Sequence, residues 1–284
     1  MSYRYRFLRF PGGKLKAVTF SYDDGVTADI RFSELLEKYG LKGTFNINSV
    51  NREKHLSADQ IRDNILARGH EVALHGLHHV ASGAASPVDC IKDALFCRQE
   101  LEGEFGMIIR GMAYPDSGIR NFQNGNSYQT VKASLTSLGI VYARTLGADN
   151  DSFKLPEDFH AWVPTAHHDN PSIFEYIDKF NAIDETKLTY PSHGFPKLFY
   201  IWGHSFEFDR KNNWDHIEEV CSRISGKDDV WYATNIEIYE YITAYNSLIT
   251  SADGDIIYNP TLHTIYFALD GKKYTIAPGE TIVL

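Results

Sequence analysis

Four histidines fall within ten residues in His70-Glu71-Val72-Ala73-Leu74-His75-Gly76-Leu77-His78-His79. Imidazole is the commonest protein ligand for metals, so this stretch is read first as a metal site. The zincin pattern needs a second His four residues after His70, but position 74 is Leu and that pattern fails. His75 and His79 are themselves four residues apart. On a helical turn they lie one above the other and could share a cation, while His78 points elsewhere. A single histidine is more often structural, and the pair needs a carboxylate from another part of the chain. Glu71-Val72-Ala73-Leu74 reads as the end of a buried strand, which places the pair in a loop or turn at that strand's C-terminal end.

The elements that must position such a pair follow from the rest of the chain. Lys16-Ala17-Val18-Thr19-Phe20 is β-prone and runs into the turn-forming cluster Ser21-Tyr22-Asp23-Asp24-Gly25, so a strand ends on two adjacent carboxylates. From Ala28 to Tyr39, the residues Ile30, Phe32, Leu35 and Leu36 recur at helical spacing, and Gly40 stops the helix. The same order then repeats. Further strands are expected at 43–47, 71–74, 109–114, 140–144, 161–165, 197–202 and 230–233, of which 161–165 is weakened by Pro164. Further helices are expected at 57–68, 88–105, 127–138, 171–183, 214–224 and 235–248. Seven or eight strands alternating with helices predict a mostly parallel sheet curled into a (β/α) barrel.

The length of 284 residues suits one barrel over 1–249. From 250 the pattern changes to apolar–polar alternation between Asp253-Gly254, Asn259-Pro260, Asp270-Gly271 and Pro278-Gly279. Residues 250–284 are therefore expected to form a small β appendage, too small to fold alone and so packed on the barrel.

In a barrel of this kind, the loops after the strands meet on one face, where chemistry sits. Asp23-Asp24, His75 and His79, Tyr114-Pro115-Asp116, Arg144 and His204 all fall at strand ends. Each alone has a plain structural account: a turn or helix cap, a surface charge, a satisfied polar residue. Five such positions together point to one site. His167-His168-Asp169 reads as a polar loop before a helix, with an extra metal ligand as the alternative.

Composition bounds the function. The charge of −9, from 28 basic and 37 acidic residues, argues against a nucleic-acid partner, which needs a positive face. Residues 1–9 are charged and aromatic with no long apolar run, so neither a signal peptide nor a membrane anchor is expected and the expected location is cytoplasmic. Cys90, Cys97 and Cys221 lack a paired spacing and read as reduced thiols.

Taken together, these motifs resemble the polysaccharide deacetylases of carbohydrate esterase family four, whose NodB-type domain carries them in this order. The family's Thr-Phe-Asp-Asp-Gly signature is matched by Thr19-Phe20-Ser21-Tyr22-Asp23-Asp24-Gly25, with two residues more between Phe and the acids. Its His-(Ser/Thr)-x-x-His signature is matched by His75-Gly76-Leu77-His78-His79, with Gly at the hydroxyl position, and its late motif by Ile201-Trp202-Gly203-His204.

The resemblance implies a distorted barrel that removes N-acetyl groups from a carbohydrate by metal-assisted attack of water, releasing acetate. It implies Asp24, His75 and His79 as metal ligands, Asp23 as general base and His204 as general acid. Tyr114, Pro115, Asp116, Arg144 and Trp202 are the expected substrate-binding residues, with the Asp116 N–H facing the oxyanion. The expected cofactor is a divalent metal, Zn²⁺ first, with Co²⁺, Ni²⁺ or Fe²⁺ suited to the same ligands. The alternatives are another amide or an O-acetyl ester at the same site, or an inactive carbohydrate-binding barrel.

Two departures stand out. The third motif is usually Arg-x-Pro-aromatic-Gly, but Ala113-Tyr114-Pro115-Asp116-Ser117 lacks the arginine; Arg144 is the expected substitute, ahead of Arg110. The fourth motif has no clear match, and Asp149, Asp151 and Asp158 lie in its region.

Overall fold

The computed structural model describes residues 5–49, 55–146, 150–187 and 194–284. The first half runs β1 (Arg6–Arg9), β2 (Lys16–Asp23), α1 (Ala28–Lys38), β3 (Gly43–Ile47), α2 (Ala58–Ile61), β4 (Glu71–Leu74), α3 (Pro87–Phe105), β5 (Gly111–Ala113), α4 (Tyr128–Ser137) and β6 (Tyr142–Arg144). The second runs β7 (Ala166–His167), α5 (Ile173–Asn181), β8 (Lys197–Gly203), α6 (Phe206–Lys211), α7 (Trp214–Ile224), β9 (Val230–Tyr232) and α8 (Asn235–Asn246). Short strands β10 (Ile249–Thr250), β11 (Ile256–Tyr258), β12 (Ile265–Leu269), β13 (Lys272–Ile276) and β14 (Thr281–Val283) follow.

The main sheet is parallel, in the order β6-β5-β4-β3-β2-β8-β7. β9 pairs with Lys16–Val18 of β2, below the stretch Phe20–Asp23 that pairs with β3. The ring closes through residues 162–167: Trp162 bridges in parallel to Arg144, and Ala166–His167 pair with Ile201–Trp202. The expected strand at 161–165 is thus corrected. A 3₁₀ turn occupies Phe159–Ala161, and Pro164, which has no N–H to give, separates the two short pairings. The result is a distorted (β/α) barrel.

Local chemistry explains the helices. Ser86 caps α3 with Pro87 at its first turn, and Gly106 ends it in the left-handed region. Ser57 with Gln60 and Thr234 with Glu237 form capping boxes on α2 and α8. The expected helix at 57–68 changes character midway, because a five-residue π-helical stretch, Arg62–Leu66, follows α2. On α1, Phe32 and Leu36 are fully buried, and the Phe32 ring lies 3.9 Å from Tyr22 of β2. Removing the Phe32 ring would cost roughly 3–5 kcal/mol through the cavity it leaves.

β1 pairs antiparallel with β12, which also pairs with β13, while β10, β11 and β14 form a second small sheet. Ile257, Ile265, Phe267 and Ile276 bury against Tyr241 and Ile242 of α8, so the C-terminal strands cover the helix that plugs the foot of the barrel. All three cysteines are buried free thiols. No helix among the described residues is long and apolar enough to cross a membrane.

Candidate active site

The register of β2 against β3 runs unbroken from Phe20↔Gly43 to Asp23↔Asn46. Ser21 and Tyr22 are thus regularly paired strand residues directly before the two acids. Asp23 ends the strand buried. Asp24 follows at φ 85 and Gly25 at φ 68, a sharp reversal that lifts the Asp24 carboxylate to the rim. The reversal is tied down by bonds from the Asp24 N–H to the Asn46 carbonyl (3.0 Å) and from Asn48 Nδ2 to Asp24 Oδ1 (3.2 Å).

β4 delivers His75 in the same way. Its ring is buried, with Nδ1 2.9 Å from the Ala113 carbonyl, which can only accept a hydrogen bond. Neutral His75 therefore carries its proton on Nδ1 and turns the Nε2 lone pair inward, the tautomer a metal ligand needs. The segment after β4 is a loop, turned by Gly76 at φ 76 and His79 at φ 56. A Cβ on Gly76 would meet Asp93 Oδ2 at 2.4 Å, which accounts for glycine at the motif's hydroxyl position. Asp24 Oδ1 lies 3.7 Å from both His75 Nε2 and His79 Nε2. Donor atoms of Asp24, His75 and His79 all fall within 4.8 Å of one another, and two imidazoles with one carboxylate form a donor set that suits a divalent cation.

Asp23 sits behind this trio. Arg144 Nη2 donates to its Oδ2, Asn46 Nδ2 donates to Oδ1 at 2.8 Å, and His75 Nε2 and His204 Nε2 each lie 3.9 Å from Oδ2. Burial pushes the Asp23 carboxyl up, but Arg144, His75 and His204 outweigh it and hold the group below its ordinary value. Arg144 is itself buried, stacked over the Trp202 ring with Cζ 4.6 Å from the centroid. Arg110 instead pairs with Glu240.

His204 follows β8 with its Nδ1 3.3 Å from Glu207 Oε1, one turn along α6. Burial lowers the pKa of its imidazole, and Glu207, Asp23 and Asp24 together raise it above the ordinary value. The neighbouring Ser205 donates to buried Asp29 at 2.6 Å, which fixes the start of α6 against α1.

Of the other sequence-stated residues, Trp202 lines the site beneath Arg144. Asp116 is exposed at φ 50 after Pro115, while the Tyr114 ring is buried with its hydroxyl donating to the His160 carbonyl. His78 points outward and His70 is buried beneath α1, where burial drops its imidazole to about 4. Asp151 pairs with Lys179, Asp158 with Lys132 and Tyr128, and Asp149 lies outside the described residues. The carboxylate at His204 is Glu207, which the sequence reading missed; its only signal was a position three residues after the histidine. His167, His168, Asp169 and Glu207 form a second cluster nearby.

Fold and site together define a distorted (β/α) barrel with a histidine–aspartate centre at its C-terminal mouth. Residues 3–141 match the family model described as polysaccharide deacetylase. The matched stretch contains Asp23, Asp24, His75 and His79; Arg144, His204 and Glu207 lie beyond it.

Among solved structures, the chain is similar to a probable polysaccharide deacetylase from Pseudomonas aeruginosa PAO1, with TM-score 0.59, 15% identity and coverage of 81% of this chain and 92% of that one. It is also similar to PuuE allantoinase, with TM-score 0.58, 14% identity and coverage of 81% and 91%. The chitin deacetylase of Colletotrichum lindemuthianum matches with TM-score 0.51, 18% identity and coverage of 79% and 88%. At these identities the likeness is one of fold. No curated protein matches the chain by sequence.

Proposed function

We propose that the chain is a metal-dependent deacetylase that removes N-acetyl groups from a carbohydrate and releases acetate. The observation that carries this reading is that Asp23 Oδ2 lies 3.9 Å both from His75 Nε2, in the Asp24–His75–His79 donor set, and from His204 Nε2. Asp24, His75 and His79 would hold a divalent cation, Zn²⁺ being the first expectation. When bound, such a cation supplies Lewis acidity that makes water a nucleophile near neutral pH and polarises the acetyl carbonyl.

The chain's own groups supply the rest. Asp23, held ionised by Arg144, takes a proton from the attacking water as its oxygen bonds to the acetyl carbon. The Asp116 N–H, on its exposed turn, donates to the developing oxyanion. His204, kept protonated by Glu207, gives its Nε2 proton to the sugar nitrogen as the C–N bond breaks. Acetic acid and the amine leave, the acid's proton passing to the amine in solution to give acetate, and the proton on Asp23 restores His204. Pro115 and Tyr114 shape the wall behind Asp116, while Trp202 offers an aromatic face to a sugar ring.

The test is acetate release from N-acetylated and O-acetylated sugars by chelator-stripped protein with and without added Zn²⁺. Metal-dependent acetate from the N-acetyl sugars is expected. Acetate from neither class would overturn the proposal.

A further inference from the structure

We propose that the chain holds a second divalent-cation site, formed by His168, Asp169 and Glu207 and completed by His167, separate from the Asp24–His75–His79 centre. This proposal does not depend on the reading of that first centre, although Glu207 is shared with the proposed acid: its Oε1 faces His204 and its Oε2 faces this cluster.

The four residues come from two places. His167 ends β7, His168 and Asp169 follow it, and Glu207 projects from α6. Their donor atoms lie within 4.8 Å of one another. Glu207 Oε2 is 3.2 Å from His168 Nε2 and 3.4 Å from His167 Nε2, and Asp169 Oδ2 is 3.4 Å from His168 Nε2. Ligands placed tetrahedrally at about 2.0–2.1 Å from one ion sit about 3.3–3.4 Å apart, so these spacings already suit a shared cation.

Two of the donors also lack another occupation. His168 is fully buried and Glu207 is 8% exposed, yet His168 Nε2 and Glu207 Oε2 have no hydrogen-bond partner among the described residues. A buried polar atom left in this way is costly unless something fills the space between. The far nitrogen of His168 is held, with Nδ1 3.1 Å from the Tyr22 hydroxyl. With the Tyr22 hydroxyl accepting from Nδ1–H, this outer partner fixes the ring and leaves the Nε2 lone pair to face the ion.

Two contacts must yield when a cation enters. The Asp169 N–H donates to His167 Nδ1 at 3.2 Å, which places the proton of neutral His167 on Nε2, so His167 joins last. Lys211 pairs with Asp169 Oδ2 and lies 3.6 Å from Glu207 Oε2, acting as the resident positive charge. Its side chain is 43% exposed and can swing into water. Two imidazoles with two carboxylates suit Zn²⁺ and neighbouring first-row divalent ions.

The experiment titrates Zn²⁺ into the full, chelator-stripped chain and counts bound metal by elemental analysis, with circular dichroism as the check on folding. The parent is expected to bind two ions, His75→Ala one, and His75→Ala with Asp169→Asn none. Loss of one ion in His75→Ala reports on the first centre, whereas retention of the other reports on this one. In the His75→Ala background, Lys211→Met should raise Zn²⁺ affinity by roughly tenfold, because it removes a competing charge about 4 Å away. A folded His75→Ala chain that binds no Zn²⁺, or whose affinity ignores both Asp169→Asn and Lys211→Met, would overturn the proposal.

Discussion

Arg144 reaches from β6 across the inside of the barrel to donate to Asp23 at the end of β2, 121 residues earlier in the chain. Both side chains are buried, and the guanidinium lies over the Trp202 ring, with Cζ 4.6 Å from its centroid. Arg144 Nε and Nη1 have no hydrogen-bond partner among the described residues, so Asp23 is the anion that fixes this cation. In the proposed reaction, the pair keeps the base ionised in a dry pocket where a lone carboxylate would take up a proton.

Arg144→Met should therefore lower kcat by at least about a hundredfold, since removing one partner of a buried ion pair leaves roughly 3–5 kcal/mol of uncompensated charge. Asp23 then loses the first of the groups that hold its pKa down, so the acid limb of the kcat/KM profile should move to higher pH. Turnover within a few-fold of the parent, with an unmoved acid limb, would remove Arg144 from the site.

Glu207 faces His204 Nδ1 from one turn along α6 and favours the charged imidazole. An acid must be protonated to act, so activity falls as pH rises through the His204 pKa. Glu207→Gln should shift that basic limb to lower pH and cost about tenfold in kcat at pH 8, with KM little changed. An unchanged basic limb would show that Glu207 does not govern the acid.

Much of this site is legible in the sequence, for identifiable reasons. Asp23-Asp24 and His75 directly follow short apolar runs, so the strand pattern alone puts them at strand ends, and Arg144 was placed the same way. Glu207 was not legible, because α6 has six residues and shows no periodicity. β7 was misplaced because Pro164 splits its pairing, and β1 went unread because its arginines mask a strand that finds its partner about 260 residues later. Those are features of long-range pairing, which local pattern does not carry.

Gly76 turns the loop between His75 and His79 at φ 76, with a Cβ position 2.4 Å from Asp93 Oδ2 and 3.3 Å from Pro115 Cγ. Asp93 meanwhile accepts from the His78 N–H at 2.8 Å. Gly76→Ala should cost about 1–3 kcal/mol in a urea melt and weaken metal binding at the first centre, because the strained loop carries both histidines. Full stability with intact metal affinity would mean that the loop adapts.

At the foot of the barrel, away from the site, Glu71 begins β4 buried among three donors. Tyr142 Oη gives to Oε1 at 2.7 Å, and Thr44 Oγ1 and the Ile236 N–H at the start of α8 give to Oε2 at 2.7 and 2.9 Å. Burial outweighs these bonds and raises its carboxyl from 4.5 to about 7. The folded state therefore holds this proton more tightly than the unfolded chain does. Stability from this group is fully present below pH 4.5 and is lost as pH rises through 7, up to roughly 3 kcal/mol. Glu71→Gln keeps the shape: its Oε1 can accept from Thr44 and Ile236 while the Tyr142 hydroxyl turns to accept from Nε2. Urea midpoints for parent and variant, measured in chelator from pH 4.5 to 8, should diverge, with the variant losing less stability over that interval. Parallel curves would mean that Glu71 enters the fold already ionised, held by its three donors.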